Sequence, residues 1–194
     1  MKINAIVQAR MGSKRLPGKV MLEVAGKPLI GHLVDRLKQC KEIDQIIVAG
    51  PECDKGSILH SYLNEQKITA FFGEEENDLC ARFLTVLRYY PCDAFVRICG
   101  DSPLIDPYVV DGVVKEMREF ASFVSNVGLK TIPRGQSVEG CYSEAYKDLC
   151  EKCSPEDREH AGFPWAYRQI ALHDSLVDTS EDFERVKRMI ENGV

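Results

Sequence analysis

Ile3-Asn4-Ala5-Ile6-Val7-Gln8 is a short, largely apolar run. A polar loop follows over 9–26, and then Leu29, Ile30, Leu33, Val34 and Leu37 fall on one helical face, predicting a helix over 28–40. A strand that runs through a loop into an amphipathic helix is the first half of a βαβ unit. The alternation continues. Strands are predicted over 43–49, 68–72, 94–99, 122–125, 137–142 and 172–177. Helices are predicted over 56–65, 78–90, about 109–120, 143–152, 155–168 and from 181 onward, with a loop at 128–136. This order implies an α/β fold, a mostly parallel sheet with helices on both faces. No repeat, linker or low-complexity stretch divides residues 1–194, which read as a single domain.

The composition agrees. The chain has 194 residues, 44% hydrophobic and 28% charged, enough to bury about 70% of its unfolded surface. Disordered, collagen-like and coiled-coil classes are excluded. No apolar run approaches the ~20 residues of a membrane span, and Met1-Lys2-Ile3-Asn4 leads straight into a strand with no export-type core, so a cytoplasmic location is expected. Charge is uneven: residues 1–28 carry six basic side chains against Glu23 alone, while the remainder carries 19 basic against 29 acidic. A basic head on an acidic body suggests one local anionic ligand and no nucleic-acid partner, although a solvated basic loop is an equally simple reading. The eight cysteines are expected as reduced thiols. Cys150-Glu-Lys-Cys153 has metal-ligand spacing, but no second such pair follows, so small buried side chains are the simpler reading.

In open α/β sheets, ligands bind outside the carboxyl ends of the strands. The polar residues there are Gln8-Ala9-Arg10, Ala49-Gly50, Gly73-Glu74, Gly100-Asp101, Asn126 and Asp178. The first loop reads Gln8-Ala9-Arg10-Met11-Gly12-Ser13-Lys14-Arg15-Leu16-Pro17-Gly18-Lys19. It contains no GxGxxG, and it is not a Walker A loop, because five residues separate Gly12 from Gly18-Lys19 and Val20 replaces the required hydroxyl. It still has the parts of a phosphate cradle. Ala9, Gly12 and Ser13 are small enough for backbone N–H groups to approach an anion, and Arg10, Lys14, Arg15 and Lys19 are cationic donors.

This loop resembles the signature of the cytidylyltransferases that activate sugars, the sialic-acid and ketodeoxyoctonate synthetases, and most closely the spore-coat-polysaccharide type. Further matches follow in order: Val96 to Pro107, Val124-Ser125-Asn126, Pro133-Arg134-Gly135, Arg158-Glu159-His160 and Val177 to Phe183. Two departures stand out. Gln136-Ser137-Val138-Glu139-Gly140 replaces the family's Leu-Asp-Val-Glu-Val and loses a carboxylate, and Ala161-Gly162 replaces Val-Thr ahead of a shortened link to Asp178.

The resemblance implies a Rossmann-like nucleotide-diphospho-sugar transferase fold and a Mg²⁺-dependent transfer of CMP from CTP onto a sugar or sugar acid, with release of pyrophosphate. Nucleotidyl transfer needs a divalent cation between phosphates and cationic groups for the leaving pyrophosphate. Asp101, after a buried strand and Gly100, is the expected first metal ligand, and by resemblance Asp178 is the second; each could instead only cap a local turn or helix start. Arg10 and Lys19 are expected at the β- and γ-phosphates. The resemblance places Ala9, Gly73, Asp78 and Arg82 near the base and ribose, and Asn126, Arg134, Glu139 and His160 near the acceptor. Asp78 also suits a helix N-terminus, and Glu74-Glu75-Glu76 reads as a solvated run. Related synthetases are often dimers, so a homodimer is possible. Two other classes stay open: a glycosyltransferase, which usually needs an Asp-x-Asp motif absent at Asp101-Ser-Pro, and a non-catalytic nucleotide-binding protein.

Overall fold

The structure is a computed structural model, and it describes residues 1–119, 122–127, 133–161 and 163. Its strands are β1 (Ile3–Gln8), β2 (Glu23–Val24), β3 (Lys27–Pro28), β4 (Gln45–Gly50), β5 (Ala70–Phe72), β6 (Ala94–Cys99), β7 (Phe123–Ser125) and β8 (Val138–Tyr142). The helices are α1 (Leu29–Leu37), α2 (Ile58–Glu65), α3 (Leu79–Tyr89), α4 (Pro107–Glu119), α5 (Ser143–Lys152) and α6 (Pro155–Arg158). The main sheet has the order β5-β4-β1-β6-β8-β7. Strands β5, β4, β1 and β6 run parallel, and β8 lies antiparallel between β6 and β7.

The parity of each strand divides the core in two. Ala5 and Val7 of β1 join Val48, Val96 and Ile98 against Leu33 of α1, Leu59 of α2 and Val110 of α4. The alternate residues Ile6, Ile47, Ala49 and Phe95 pack on Phe83 of α3 and Tyr146 of α5 on the other face. Phe95 meets Tyr146 edge-on, with centroids 4.9 Å apart. Strands buried on both faces are what parallel sheets require, and they explain the unbroken apolar runs in the sequence. The expected α/β architecture is therefore observed. The predicted strands at 3–8 and 94–99 coincide with β1 and β6.

Two differences have local causes. The loop predicted over 9–26 contains a 3₁₀ turn at Lys19–Met21 and the start of a hairpin, β2–β3. The hairpin turns at Ala25 and Gly26, whose φ values of 50° and 73° suit its twist. Two-residue strands are too short to show a period. The helix predicted over 155–168 is interrupted: Ser154 caps α6, which stops at Arg158, Ala161 at φ 59° takes the backbone out of the α conformation, Phe163 is helical again, and residues 164–168 lie outside the described residues. The strand at 172–177, the helix from 181 and Asp178 lie outside the described residues.

The thiols near the CxxC sequence fill space between α3 and α5. Cys80 and Cys150 are buried, and the Cys153 Sγ lies 3.7 Å from that of Cys80. Burial pushes the Cys153 thiol up to about 11, and the Cys150 contact together with burial raises Cys80 further, so neither is a ready nucleophile. Among the described residues no group of three or more His, Cys, Asp or Glu side chains is placed to hold a metal ion. No described helix is long and apolar enough to cross a membrane.

Candidate active site

After β1 the chain moves outward through β4 and β5, then returns to place β6 on the other side of β1. The strand order reverses between β1 and β6, which makes a crevice at their carboxyl ends. Gln8-Ala9-Arg10 and Cys99-Gly100-Asp101 meet there. The Gly100 amide donates to the Gln8 carbonyl at 2.8 Å, and the Ala9 amide donates to the Ala49 carbonyl at 3.1 Å. A Cβ on Gly100 would lie 2.9 Å from the Gln8 carbonyl oxygen and 3.0 Å from the Ala9 Cβ, so only glycine permits this approach.

The loop beyond Ala9 is folded by its own backbone. The Met11 amide donates to the buried Asp54 carboxylate at 2.7 Å, and the Met11 carbonyl accepts from the Ser13 and Gly18 amides, each at 2.9 Å. The Gly12, Lys14 and Arg15 amides have no hydrogen-bond partner among the described residues. Arg10, Gly12, Ser13, Lys14, Arg15 and Lys19 line a cavity of about 340 Å³ with Glu76, Asn77 and Glu159. Lys19 is ion-paired with Asp101 and so brings a loop cation onto the end of β6.

A second cavity of about 140 Å³ adjoins the first, lined by Gln8, Ala9, Arg10, Glu76, Leu79, Arg82, Glu159 and His160. Arg10, Glu76 and Glu159 line both. One cavity is thus cationic and polar, the other smaller and partly apolar, and they share a wall.

Arg82 and Asp78 are placed by α3. Arg82 is 2% exposed, and it donates through Nε to the Gly73 carbonyl and through Nη2 to the Glu75 and Glu76 carbonyls, at 3.2, 2.6 and 3.2 Å. Burial lowers its pKa. It lines the smaller cavity and holds the loop from Gly73 to Glu76. Asp78, expected near the base and ribose, accepts from the Ala81 amide at 2.9 Å as the cap of α3 and from the Arg158 guanidinium at 2.9 and 3.0 Å. Its carboxylate is engaged with protein on both oxygens.

The cytidylyltransferase family model matches residues 4–184. The chain belongs to the cytidylyltransferase family. Its chemistry is the transfer of a cytidylyl group from CTP. It is 34% identical to an uncharacterized protein, MJ1063, of Methanocaldococcus jannaschii, over 89% of this chain and 70% of the relative. It is 28% identical to the spore coat polysaccharide biosynthesis protein SpsF of Bacillus subtilis, over 95% of this chain and 84% of that one. A cytidylyltransferase structure from Leptospira borgpetersenii superposes with a TM-score of 0.76 at 32% identity, covering 82% of this chain and 68% of that one. The chain spans about half the length of the 3-deoxy-manno-octulosonate cytidylyltransferases that it matches, for example 48% of the Trichlorobacter lovleyi protein at 33% identity.

In this cytidylyltransferase the four residues expected at the acceptor have different local roles. Asn126 donates to the Gln136 carbonyl at 2.8 Å and accepts from the Val138 amide at 2.9 Å, which closes the entry to β8. Arg134 is exposed at the turn before β8. Glu139 is buried in β8 and paired with Arg97. His160 lines the smaller cavity with Ala9. Sequence reasoning missed Gln136, whose amide accepts from the Asp106 amide at 2.7 Å and donates to the Leu104 carbonyl at 2.8 Å. It stands in one of the departures from the family pattern, and it ties that segment to the loop after β6. Arg97 was also missed. It donates to Gln8 Oε1 at 2.8 Å, and its guanidinium stacks over Phe163 at 5.6 Å. Burial opposes its charge, but the Glu139 carboxylate and the neighbouring Cys99 and Tyr146 together raise its pKa.

Proposed function

We propose that this enzyme moves CMP from CTP onto a sugar acid or a related sugar for surface polysaccharide synthesis, in the cytoplasm. The observation that carries the reading is the pair of joined cavities at the β1/β6 crevice. The smaller one beside Ala9 suits a pyrimidine, and the cationic one suits a triphosphate. Arg10 lines both, and Lys19 lines only the cationic one. In this reading both bind the outer phosphates and stabilise the leaving pyrophosphate.

A magnesium ion fits the donor set. Asp101 offers a hard carboxylate that already collects a cation, Lys19, and an ion of this type needs only one or two carboxylates besides phosphate oxygens and water. Asp101, with Asp178 as the second candidate, would hold it, and it would supply charge neutralisation at the phosphates. The chain's own part is to orient the triphosphate on the loop amides and cations, and to keep the base in the smaller cavity. The likeness to SpsF and to the octulosonate cytidylyltransferases supports an acceptor of the sugar or sugar-acid class.

Pyrophosphate release tests this proposal. The protein is incubated with Mg²⁺, one of CTP, UTP, ATP or GTP, and a panel of sugar acids and sugar phosphates. Release with CTP and a sugar acid is expected, and preference for a purine nucleotide overturns the base assignment. The cradle is tested separately. Arg10→Ala and Lys19→Ala are each expected to weaken CTP binding by about 1.5–3 kcal/mol in titration calorimetry, the loss of one charge-assisted contact. Unchanged affinity in both variants would remove the loop from the phosphate site.

A further inference from the structure

Glu76 belongs to an acidic run that the sequence presents as solvated, yet its side chain reaches into the cleft. Its Oε1 accepts from Arg10 Nη1 at 3.2 Å. The same oxygen lies 2.5 Å from the point where a Cβ on Gly12 would stand, so it rests against the glycine backbone of the cradle. Glu76 lines both cavities, and the Arg10–Glu76 pair lies where they meet. The placement is preset from below, because the Glu76 carbonyl is one of the three that buried Arg82 holds. Its neighbours behave differently. Glu74 accepts from the Thr85 hydroxyl at 2.8 Å, and Glu75 lines neither cavity.

A carboxylate oxygen set between a guanidinium and a glycine backbone has the chemistry of a phosphate oxygen in the same place. We propose that Glu76 is a specificity-determining residue, an internal anion that fills the cradle until a polyphosphate displaces it. This deepens the CTP reading and rests on it for the nucleotide, but the anion cradle can be tested without a nucleotide. Every ligand entering the cradle pays the same displacement cost. A triphosphate recovers it through several contacts, whereas a singly anchored anion such as orthophosphate does not. The residue thereby keeps abundant small anions from occupying the site.

Titration calorimetry on the full chain with inorganic tripolyphosphate and, separately, orthophosphate tests the proposal. Glu76→Gln keeps the shape and removes the charge, and it is expected to bind tripolyphosphate about three- to tenfold more tightly than the wild type, the range for losing a half-exposed competing ion pair and its repulsion. Orthophosphate binding should appear or strengthen in the same variant. Glu75→Gln makes the same change in net charge outside the cleft and is expected to leave both affinities unchanged. Equal or weaker binding by Glu76→Gln, or equal tightening by Glu75→Gln, overturns the proposal. Glu76→Ala, with thermal melting of each variant, guards against a folding artefact. Parallel titration with CTP separates the two readings. Tighter tripolyphosphate binding without CTP binding would retain the internal anion and defeat the nucleotide assignment, while CTP binding insensitive to Glu76 would do the reverse.

Discussion

Asp101→Asn is expected to lower turnover by several orders of magnitude while leaving metal-free nucleotide binding intact or slightly tighter. The substitution preserves the size of the side chain and removes its charge. Asp101 stands directly after Gly100 at the end of β6, where the glycine packs against the end of β1 and fixes the direction of the chain. Its carboxylate is ion-paired with Lys19, one of the cations that line the phosphate cradle. Loss of that charge removes a hard ligand for a divalent cation and frees Lys19 for phosphate oxygens. Turnover against Mg²⁺ concentration is the deciding measurement. Normal turnover with an unchanged Mg²⁺ profile would overturn the role given to Asp101.

Glu139→Leu carries the largest expected effect on stability. The residue sits in β8 opposite Arg97 of β6, with side-chain exposures of 8% and 11%. Removing one partner of a buried pair typically costs about 3–5 kcal/mol, because the other charge stays buried without its counter-charge. For a domain of this size that corresponds to a fall of about 6–20 °C in Tm. The double variant Glu139→Leu/Arg97→Met should recover much of the loss, since the isolated charge is then gone. Scanning calorimetry on both variants provides the check. An acceptor-binding role for Glu139 predicts a different outcome, a raised KM for the sugar substrate with Tm unchanged. The two roles are thus separable on the same protein samples.

Several parts of the molecule were legible in the residue order because they are short-range. The bounds of β1 and β6 follow from apolar runs with polar ends. Asp78 marks the start of α3 because a short polar side chain three residues ahead of an amide can cap it. The parallel sheet follows from strands alternating with amphipathic helices, and the loop from Gln8 to Lys19 discloses its cations and small residues directly. Given the rule that ligands gather at strand carboxyl ends, these features also locate the site.

The pairings inside that site were decided only by the tertiary structure. Arg10 meets Glu76 across 66 residues, Lys19 meets Asp101 across 82, and Arg97 meets Glu139 across 42. No periodicity reports such partners, because they depend on which strands become neighbours and how far each loop reaches over the sheet edge. The same holds for Arg82: three residues after Leu79 and four before Val86 it borders the apolar face of α3, but helical spacing names no partner for its guanidinium. It is buried because the 73–76 loop folds over it and offers three carbonyls. Local sequence determines where a chain is helical or extended and which groups stand at strand ends. The side-chain charges find their partners, or wait for a ligand, only when the strand order β5-β4-β1-β6 brings those ends to one crevice.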